Sequence, residues 1–162
     1  MGHLQAATLS PEGQWFTPFA GDEHVAVWQC VTSMLVRTLQ RGVSETADFF
    51  CVAIRCAAWS PDGTLLATGG RDGSTIVWEV AACAVKLTLH SPLPEVKVYS
   101  VAWSPRGLQI CTGSDDGVAR LWDADTGHLV HELAAQSGSR GYARWLGALT
   151  GPSWLQRLST AQ

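Results

Sequence analysis

Aspartate and serine side chains that could act as an acid or a nucleophile recur in this sequence at a fixed spacing. Asp22, Asp72 and Asp116 follow one another at intervals of 50 and 44 residues, and Ser60 and Ser104 are also 44 residues apart. A catalytic acid or nucleophile serves a single site, whereas residues that recur in register belong to a repeated structural unit. Because these side chains readily hydrogen-bond to nearby backbone, we interpret all five as turn formers.

The remaining polar residues do not favour an enzyme. No serine lies in the Gly-x-Ser-x-Gly motif that positions the nucleophile of many hydrolases, and no phosphate-binding G-x-x-x-x-G-K-[ST] loop is present. His128 and His131 would face opposite sides of a strand, because side chains alternate along it. We therefore expect a solvated pair there, and predict no catalytic residues, no metal and no cofactor.

Composition favours a packed intracellular protein. The 162 residues suffice for about one domain, and an apolar content of 46% suits a packed core. The net charge of −3 argues against a nucleic-acid partner. Five cysteines without a C-x-x-C pair are interpreted as small apolar residues in a reducing compartment. The sequence has no signal peptide and no membrane-spanning apolar run, which predicts a cytoplasmic or nuclear protein with no membrane partner.

Three segments of the sequence share one register. "LSPEGQWFTPFAGDEHVAVWQC" starts at Leu9, "WSPDGTLLATGGRDGSTIVWEV" at Trp59 and "WSPRGLQICTGSDDGVARLWDA" at Trp103. In each segment the serine of Ser-Pro-x-Gly precedes a tryptophan by 18 residues. Such internal repetition indicates an array of similar structural units.

Each copy predicts four short antiparallel strands joined by turns. Ser-Pro-x-Gly favours a tight turn, because proline fixes φ and glycine tolerates a positive φ. Arg-Asp-Gly in the second copy and Asp-Asp-Gly in the third are hairpin signals. Four strands in every 44 to 50 residues is the pattern of a propeller blade. The frequent glycines and prolines argue against helices.

With these turns and the tryptophan of the third strand, the chain resembles the WD-repeat β-propeller family. The family signature ends in Trp-Asp, which is Trp122-Asp123 here, with Trp-Glu and Trp-Gln in the other copies. The resemblance implies an all-β fold of three four-stranded antiparallel propeller blades, an incomplete β-propeller, over residues 1–133. The expected blades are about 4–39, 52–89 and 96–133, and residues 134–162 are expected to form a non-repeated tail, irregular or partly helical.

The resemblance also implies a hydrogen-bonded set within each blade, from which this sequence departs. In the family, a histidine before the first strand joins the turn aspartate, a strand serine or threonine, and the tryptophan. Phe50 and Pro94 stand at the place of that histidine in the second and third copies, and neither can make its bond. Pro18 replaces the strand threonine in the first copy. The residues expected to carry the repeat signature are Ser60, Asp72, Trp78, Ser104, Asp116, Trp122, Asp22 and Trp28.

For function, the resemblance implies a protein–protein interaction scaffold or adaptor that is not an enzyme. Partners of the family favour the face with the aspartate turns, where Arg71 and Asp115 precede the aspartates of the second and third copies. These two are the possible partner-binding residues, although a solvated turn charge is the simpler interpretation. The alternative is a truncated or alternatively ended product of a longer propeller protein, with no activity of its own.

The number of repeats leads to a further expectation about partners. A propeller removes its open edges by closing a ring of roughly four to eight blades. Three blades in an arc leave the two end blades each without a neighbour on one side. We therefore expect self-association or pairing with another propeller fragment.

Overall fold

The computed structural model of the chain describes residues 6–19, 24–40, 53–93 and 96–134. In these ranges the chain forms twelve strands and no helix, which confirms the predicted all-β fold of three four-stranded antiparallel sheets. The first sheet contains β1 Ala6–Leu9, β2 Trp15–Phe19, β3 His24–Gln29 and β4 Leu35–Gln40. The second contains β5 Ile54–Trp59, β6 Leu65–Gly70, β7 Ser74–Glu79 and β8 Ala84–His90. The third contains β9 Val98–Trp103, β10 Gln109–Ser114, β11 Val118–Asp123 and β12 Leu129–Ala134.

The turn after the first strand of each sheet is closed by its serine. Ser60 Oγ accepts a hydrogen bond from the N–H of Leu65 at 2.9 Å, and the equivalent bonds in the other sheets are both 3.0 Å. Gly63 in this turn has a φ of 71°, a conformation that costs a residue without a Cβ very little. The Ser-Pro-x-Gly sequence therefore fixes where the first strand ends and the second begins.

The inner strands β5 and β9 lie side by side and run in the same direction. Near their starts, the guanidinium carbon of Arg55 lies 5.2 Å from the ring centroid of Tyr99. Near their ends, the indole N–H of Trp103 donates a hydrogen bond to the carbonyl oxygen of Ala58 at 3.0 Å. Equivalent positions of the second and third sheets are therefore neighbours in space.

The hairpin turns at residues 70–73 and 114–117 consequently lie at the same end of the two sheets, which we call the aspartate-turn end. Asp72 accepts a hydrogen bond from the N–H of Ser74 at 3.1 Å. Asp116 accepts one from the N–H two residues further along, at 3.0 Å. Both carboxylates thus close their own hairpin turns.

The core lies in two seams, one between the first and second sheets and one between the second and third. In each seam the tryptophan-bearing face of one sheet packs on the aliphatic face of the sheet before it. The buried residues of the first seam are Phe19, Val25, Val27, Leu39, Ile54, Trp59, Leu66, Ile76 and Trp78. Those of the second are Cys56, Ala67, Val77, Leu89, Val98, Val101, Trp103, Ile110, Trp122 and Ala124.

A row of paired residues, which we call the tryptophan row, crosses each sheet and supplies this face. Its members are directly opposite one another on neighbouring strands, so their side chains share one face. The rows are Leu9, Phe16 and Trp28 in the first sheet, Trp59, Leu66 and Trp78 in the second, and Trp103, Ile110 and Trp122 in the third.

The tryptophan on the third strand of each sheet is held by a hydrogen bond in two sheets of the three. Trp78 Nε1 donates to Thr68 Oγ1 at 2.8 Å, and the equivalent pair in the third sheet spans 2.9 Å. In the first sheet Pro18 stands at the place of the threonine, and the buried Nε1 of Trp28 has no partner among the described residues. The first sheet therefore lacks an interaction that fixes the indole in the others.

In the third sheet, Arg120 on β11 binds the turn aspartate in a way that the repeat pattern does not predict. The guanidinium donates to Asp116 Oδ2 at 2.6 Å, to Glu132 Oε1 at 2.8 Å and to Ser114 Oγ at 3.2 Å. Its side chain is only 2% exposed. Burial lowers the pKa of Arg120, but the hydrogen bonds to the two carboxylates outweigh it, and the pKa lies above its usual range. In the family resemblance Asp116 lacked its histidine partner. Arg120 of the same sheet is its partner instead.

We expect the bond between Trp78 and Thr68 to contribute about 0.5 to 1.5 kcal/mol to the free energy of unfolding, the range for a typical intramolecular hydrogen bond. A double-mutant cycle of Trp78→Phe and Thr68→Val in urea denaturation measures this coupling. Trp28→Phe serves as the matched control, because its indole N–H has no described partner. A coupling near zero would contradict the role given to this bond.

Arg120→Ile should lower the free energy of unfolding by about 2 to 3 kcal/mol, because the substitution leaves the Asp116 carboxylate without its cation. Isoleucine is the residue that stands at this place in the second sheet, so it fits the strand. Adding Asp116→Asn should recover part of the loss, since the amide carries no charge to be compensated. Equal stability of the single variant and the parent chain in urea titration would show that the ion pairs are not stabilising.

Cysteine reactivity should differ sharply between Cys83, which is exposed in the β7–β8 turn, and Cys111, which is 1% exposed on β10. Burial raises the pKa of the Cys111 thiol to about 12. Because the thiolate is the reacting species, iodoacetamide at pH 8 should modify Cys83 and leave Cys111 protected. Mass spectrometry of the peptides measures both, and equal rates of modification would contradict the buried placement of Cys111.

Candidate functional site

The tryptophan row of the first sheet is exposed where the equivalent rows are buried. Leu9 is 63% exposed, whereas Trp59 and Trp103, at the same place in the other sheets, are 7% and 8% exposed. The difference arises because each later row is covered by the preceding sheet, and no described residues form a sheet on this side of the first. We call this surface, formed by Leu9, Phe16 and Trp28, the open face.

The open face is aromatic and ordered by its own contacts. The rings of Phe16 and Trp28 stack with their centroids 6.2 Å apart and an angle of 24° between their planes. Both side chains are half-buried, and the Trp28 indole N–H is turned away from solvent without a described partner. In chemical terms this is an apolar surface with one unused donor, similar in layout to the faces that form the two seams.

The opposite end of the array, the aliphatic face of the third sheet, is buried. Cys111, Ala119 and Leu121 on this face are 1%, 0% and 6% exposed, and they form a small apolar cluster with Ala102 and Leu133. The two ends of the array are therefore not equivalent. Of the two outer faces, the open face of the first sheet is exposed and the aliphatic face of the third sheet is buried.

At the aspartate-turn end, Arg71 and Asp115 occupy equivalent positions but have different surroundings. Arg71 is exposed, and only its backbone is engaged, through a hydrogen bond from its N–H to the carbonyl oxygen of Ala53 at 2.9 Å. The Asp115 carboxylate accepts a hydrogen bond from the N–H of Lys97 at 2.8 Å and lies 3.9 Å from its Nζ. Asp115 therefore ties its turn to the segment that enters β9, whereas the Arg71 guanidinium has no hydrogen bond or ion pair with other described residues.

Arg55 and Tyr99 form a contact between the second and third sheets that the sequence pattern did not single out. Each is the extra residue of an irregularity in its strand, between Ile54 and Cys56 in β5 and opposite the Gly113/Ser114 step in the third sheet. The Arg55 guanidinium lies over the Tyr99 ring, a cation–π arrangement. The available signal was the equivalent position of the two residues in the repeat, 44 residues apart.

Of the residues predicted to carry the repeat signature, the structure describes all except Asp22, which lies outside the described ranges, as do Phe50 and Pro94. Ser60 and Ser104 hold turns at the opposite end of the sheets from the aspartates. The serines and aspartates are thus separated by the length of a strand and do not form one site. In the part of the chain described, no three His, Cys, Asp or Glu side chains are grouped to hold a metal ion.

A groove of about 430 Å³ lies between the second and third sheets at the serine-turn end. Trp103 contributes to its wall, and Lys86 pairs with Asp125 across it at 3.2 Å. Asp62, Glu79 and Arg106 also line it, so positive and negative charges are mixed. This mixture favours no single class of ligand.

Among the described residues no helix is long and apolar enough to cross a membrane.

Comparison with known proteins agrees with the fold. A family model described as "WD domain, G-beta repeat" matches residues 47–79, which include β5–β7, and residues 83–123, which include β8–β11. Protein HIR1 of Candida albicans is 29% identical over 87 residues, which cover 48% of this chain and 9% of that protein. The chain thus spans less than a tenth of the length of this curated relative. Residues 47–123 thus contain two WD repeats that the family model matches, and the first sheet is built on the same plan.

Proposed function

We propose that the chain is a non-catalytic, intracellular interaction scaffold whose open face binds another propeller sheet. WD repeats point to a protein-interaction scaffold in general. The observation that supports this particular surface is the 63% exposure of Leu9, at a place where the other two sheets bury a tryptophan against a neighbour. A sheet with two apolar faces needs a second layer on each of them.

The energetics favour covering the open face. Burying a leucine side chain that is otherwise exposed contributes about 1.5 to 3 kcal/mol, and the stacked rings of Phe16 and Trp28 add apolar area beside Leu9. A partner sheet could also supply an acceptor for the unused Trp28 N–H, as the Ala58 carbonyl does for Trp103. These gains set the chemistry of the partner: a flat, aliphatic sheet face with an accessible backbone carbonyl.

A fragment of another propeller offers such a sheet. In a second copy of the chain the described aliphatic faces are buried, so two copies would associate through their open faces. Self-association is the form of this proposal that the purified chain tests directly. The five cysteines of the sequence include no C-x-x-C pair, which is in keeping with the proposed reducing, intracellular setting.

A second candidate is a truncated or alternatively ended product of a longer propeller protein, without activity of its own. It is favoured by the match to a relative of which the chain spans 9%. In a longer chain, a preceding blade would cover the open face. An antibody to the repeats tests for the longer parent protein, because a second species of higher mass beside the 17.4 kDa chain is expected only if the chain is a shortened product.

We expect the purified chain to self-associate at micromolar concentration in analytical ultracentrifugation, and Leu9→Glu to shift it toward the 17.4 kDa monomer. The added carboxylate would have to be desolvated in the interface, which opposes association. Val31→Glu is the matched control, because Val31 is an 89% exposed residue of the β3–β4 turn and is not one of the residues that form the open face.

A parent chain that stays monomeric, or a Val31→Glu variant that dissociates as fully as Leu9→Glu, would count against self-association through this face. Circular dichroism of the three proteins confirms that each remains folded. A monomer that binds another propeller fragment through Leu9 would retain the scaffold proposal and assign the partner to a different chain.

A further inference from the structure

At the aspartate-turn end, two guanidinium groups have no carboxylate partner among the described residues. From this we propose that this end binds an acidic peptide segment of a partner protein, with Arg55 and Arg71 as the carboxylate-binding residues and the Tyr99 ring as their platform. The proposal rests on the scaffold function above and adds a second surface and the chemistry of its ligand.

The two arginines belong to neighbouring positions of one sheet. Ile54 and Gly70 are directly opposite each other on β5 and β6, Arg55 follows the first and Arg71 follows the second. A hydrogen bond from the Arg71 N–H to the Ala53 carbonyl at 2.9 Å holds the turn against the start of β5. Both side chains therefore start from the same corner of the second sheet, beside the third.

The described aspartates at this end already have partners. Asp115 binds Lys97, through its N–H at 2.8 Å and its Nζ at 3.9 Å. Asp116 accepts a 2.6 Å hydrogen bond from the buried Arg120, and Asp72 accepts from the N–H and hydroxyl of Ser74. Neither of the two proposed arginines shares in these bonds, so their donors are available to a ligand.

Guanidinium chemistry selects the ligand. Its planar N–H donors match the two oxygens of a carboxylate, and such charge-assisted pairs are stronger than neutral hydrogen bonds. The position of the Arg55 guanidinium over the Tyr99 ring, 5.2 Å from the centroid, restrains the side chain before binding. Less entropy is then lost when the ligand binds.

An acidic peptide fits this surface better than a nucleic acid. Nucleic-acid binding draws on many phosphate contacts and a basic face, whereas the chain has a net charge of −3 and this end offers two unpaired arginines. Two arginines on a small, turn-bounded surface suit a short segment with two or three acidic side chains.

The probe is a short fluorescein-labelled peptide of glutamate and serine, compared with the same peptide in which glutamine replaces glutamate. Fluorescence anisotropy with the full chain should show binding of the glutamate peptide that weakens with added salt. Arg71→Gln and Arg55→Gln should each weaken it about tenfold, equivalent to about 1.4 kcal/mol. Arg106→Gln is the matched control, because Arg106 is an exposed turn arginine at the opposite end of the sheets.

Tyr99→Leu separates the platform from the charges, because it removes the ring and keeps both guanidiniums. We expect it to weaken binding of the glutamate peptide less than either arginine variant. Equal affinity of the parent chain and Arg71→Gln, equal binding of the glutamate and glutamine peptides, or no binding would overturn the proposal. Tighter binding of a labelled single-stranded oligonucleotide than of the glutamate peptide would also overturn it.

The outcome is separable from that of the open face. Leu9→Glu lies on another surface and should bind the glutamate peptide as the parent chain does. If the peptide fails to bind while Leu9-dependent association persists, the acidic-peptide proposal fails and the scaffold proposal stands. If association fails while the peptide binds through the two arginines, the proposal for the open face fails and the acidic-peptide proposal stands.

Discussion

Contact between the tryptophan row of one sheet and the aliphatic face of the sheet before it is the interaction on which the array depends. In the second seam Trp103 packs on the second sheet and also donates its N–H to the Ala58 carbonyl, so one side chain supplies both apolar burial and a directional bond. The Trp59 indole N–H, at the same place in the first seam, is buried without a described partner. The two seams thus share a geometry and differ in how completely their polar groups are satisfied, which makes the first the weaker of the two.

Features that recur in the sequence were predictable, because each copy tests the others. The Ser-Pro-x-Gly turn, the aspartate hairpin and the third-strand tryptophan recur at fixed offsets, and together they specify the strands, their order and the antiparallel pairing. Arg120 could not be predicted in this way, because the second copy has Ile76 at the same place and the first has Ala26. A residue that departs from the repeat has no second copy to reveal its role, although a lone charge between the apolar Ala119 and Leu121 was a sign of a buried ion pair.

Two contacts of the candidate surfaces could not be predicted from the repeat pattern either. Arg71 and Asp115 occupy equivalent positions of the repeat, but only Asp115 has a side-chain partner, Lys97. Lys97 lies in the segment that enters β9, which the repeat pattern does not describe. Arg55 and Tyr99 meet because their strands shift register at those residues, and such an irregularity changes which face a side chain occupies. Sequence periodicity assumes an unbroken alternation, so it cannot place side chains at a bulge.

The unequal seams also bear on the order in which the chain acquires its structure. Every strand pairs with its neighbour in sequence, so each sheet can form from local contacts soon after it is synthesised. The first sheet leaves the ribosome first, but it contains Thr17 and Trp28 with buried polar atoms that lack described partners, and Leu9 exposed to water. The second and third sheets, made later, share the better-satisfied seam. Of the three sheets, we therefore expect the one synthesised first to become stable last, once the second sheet covers its aliphatic face.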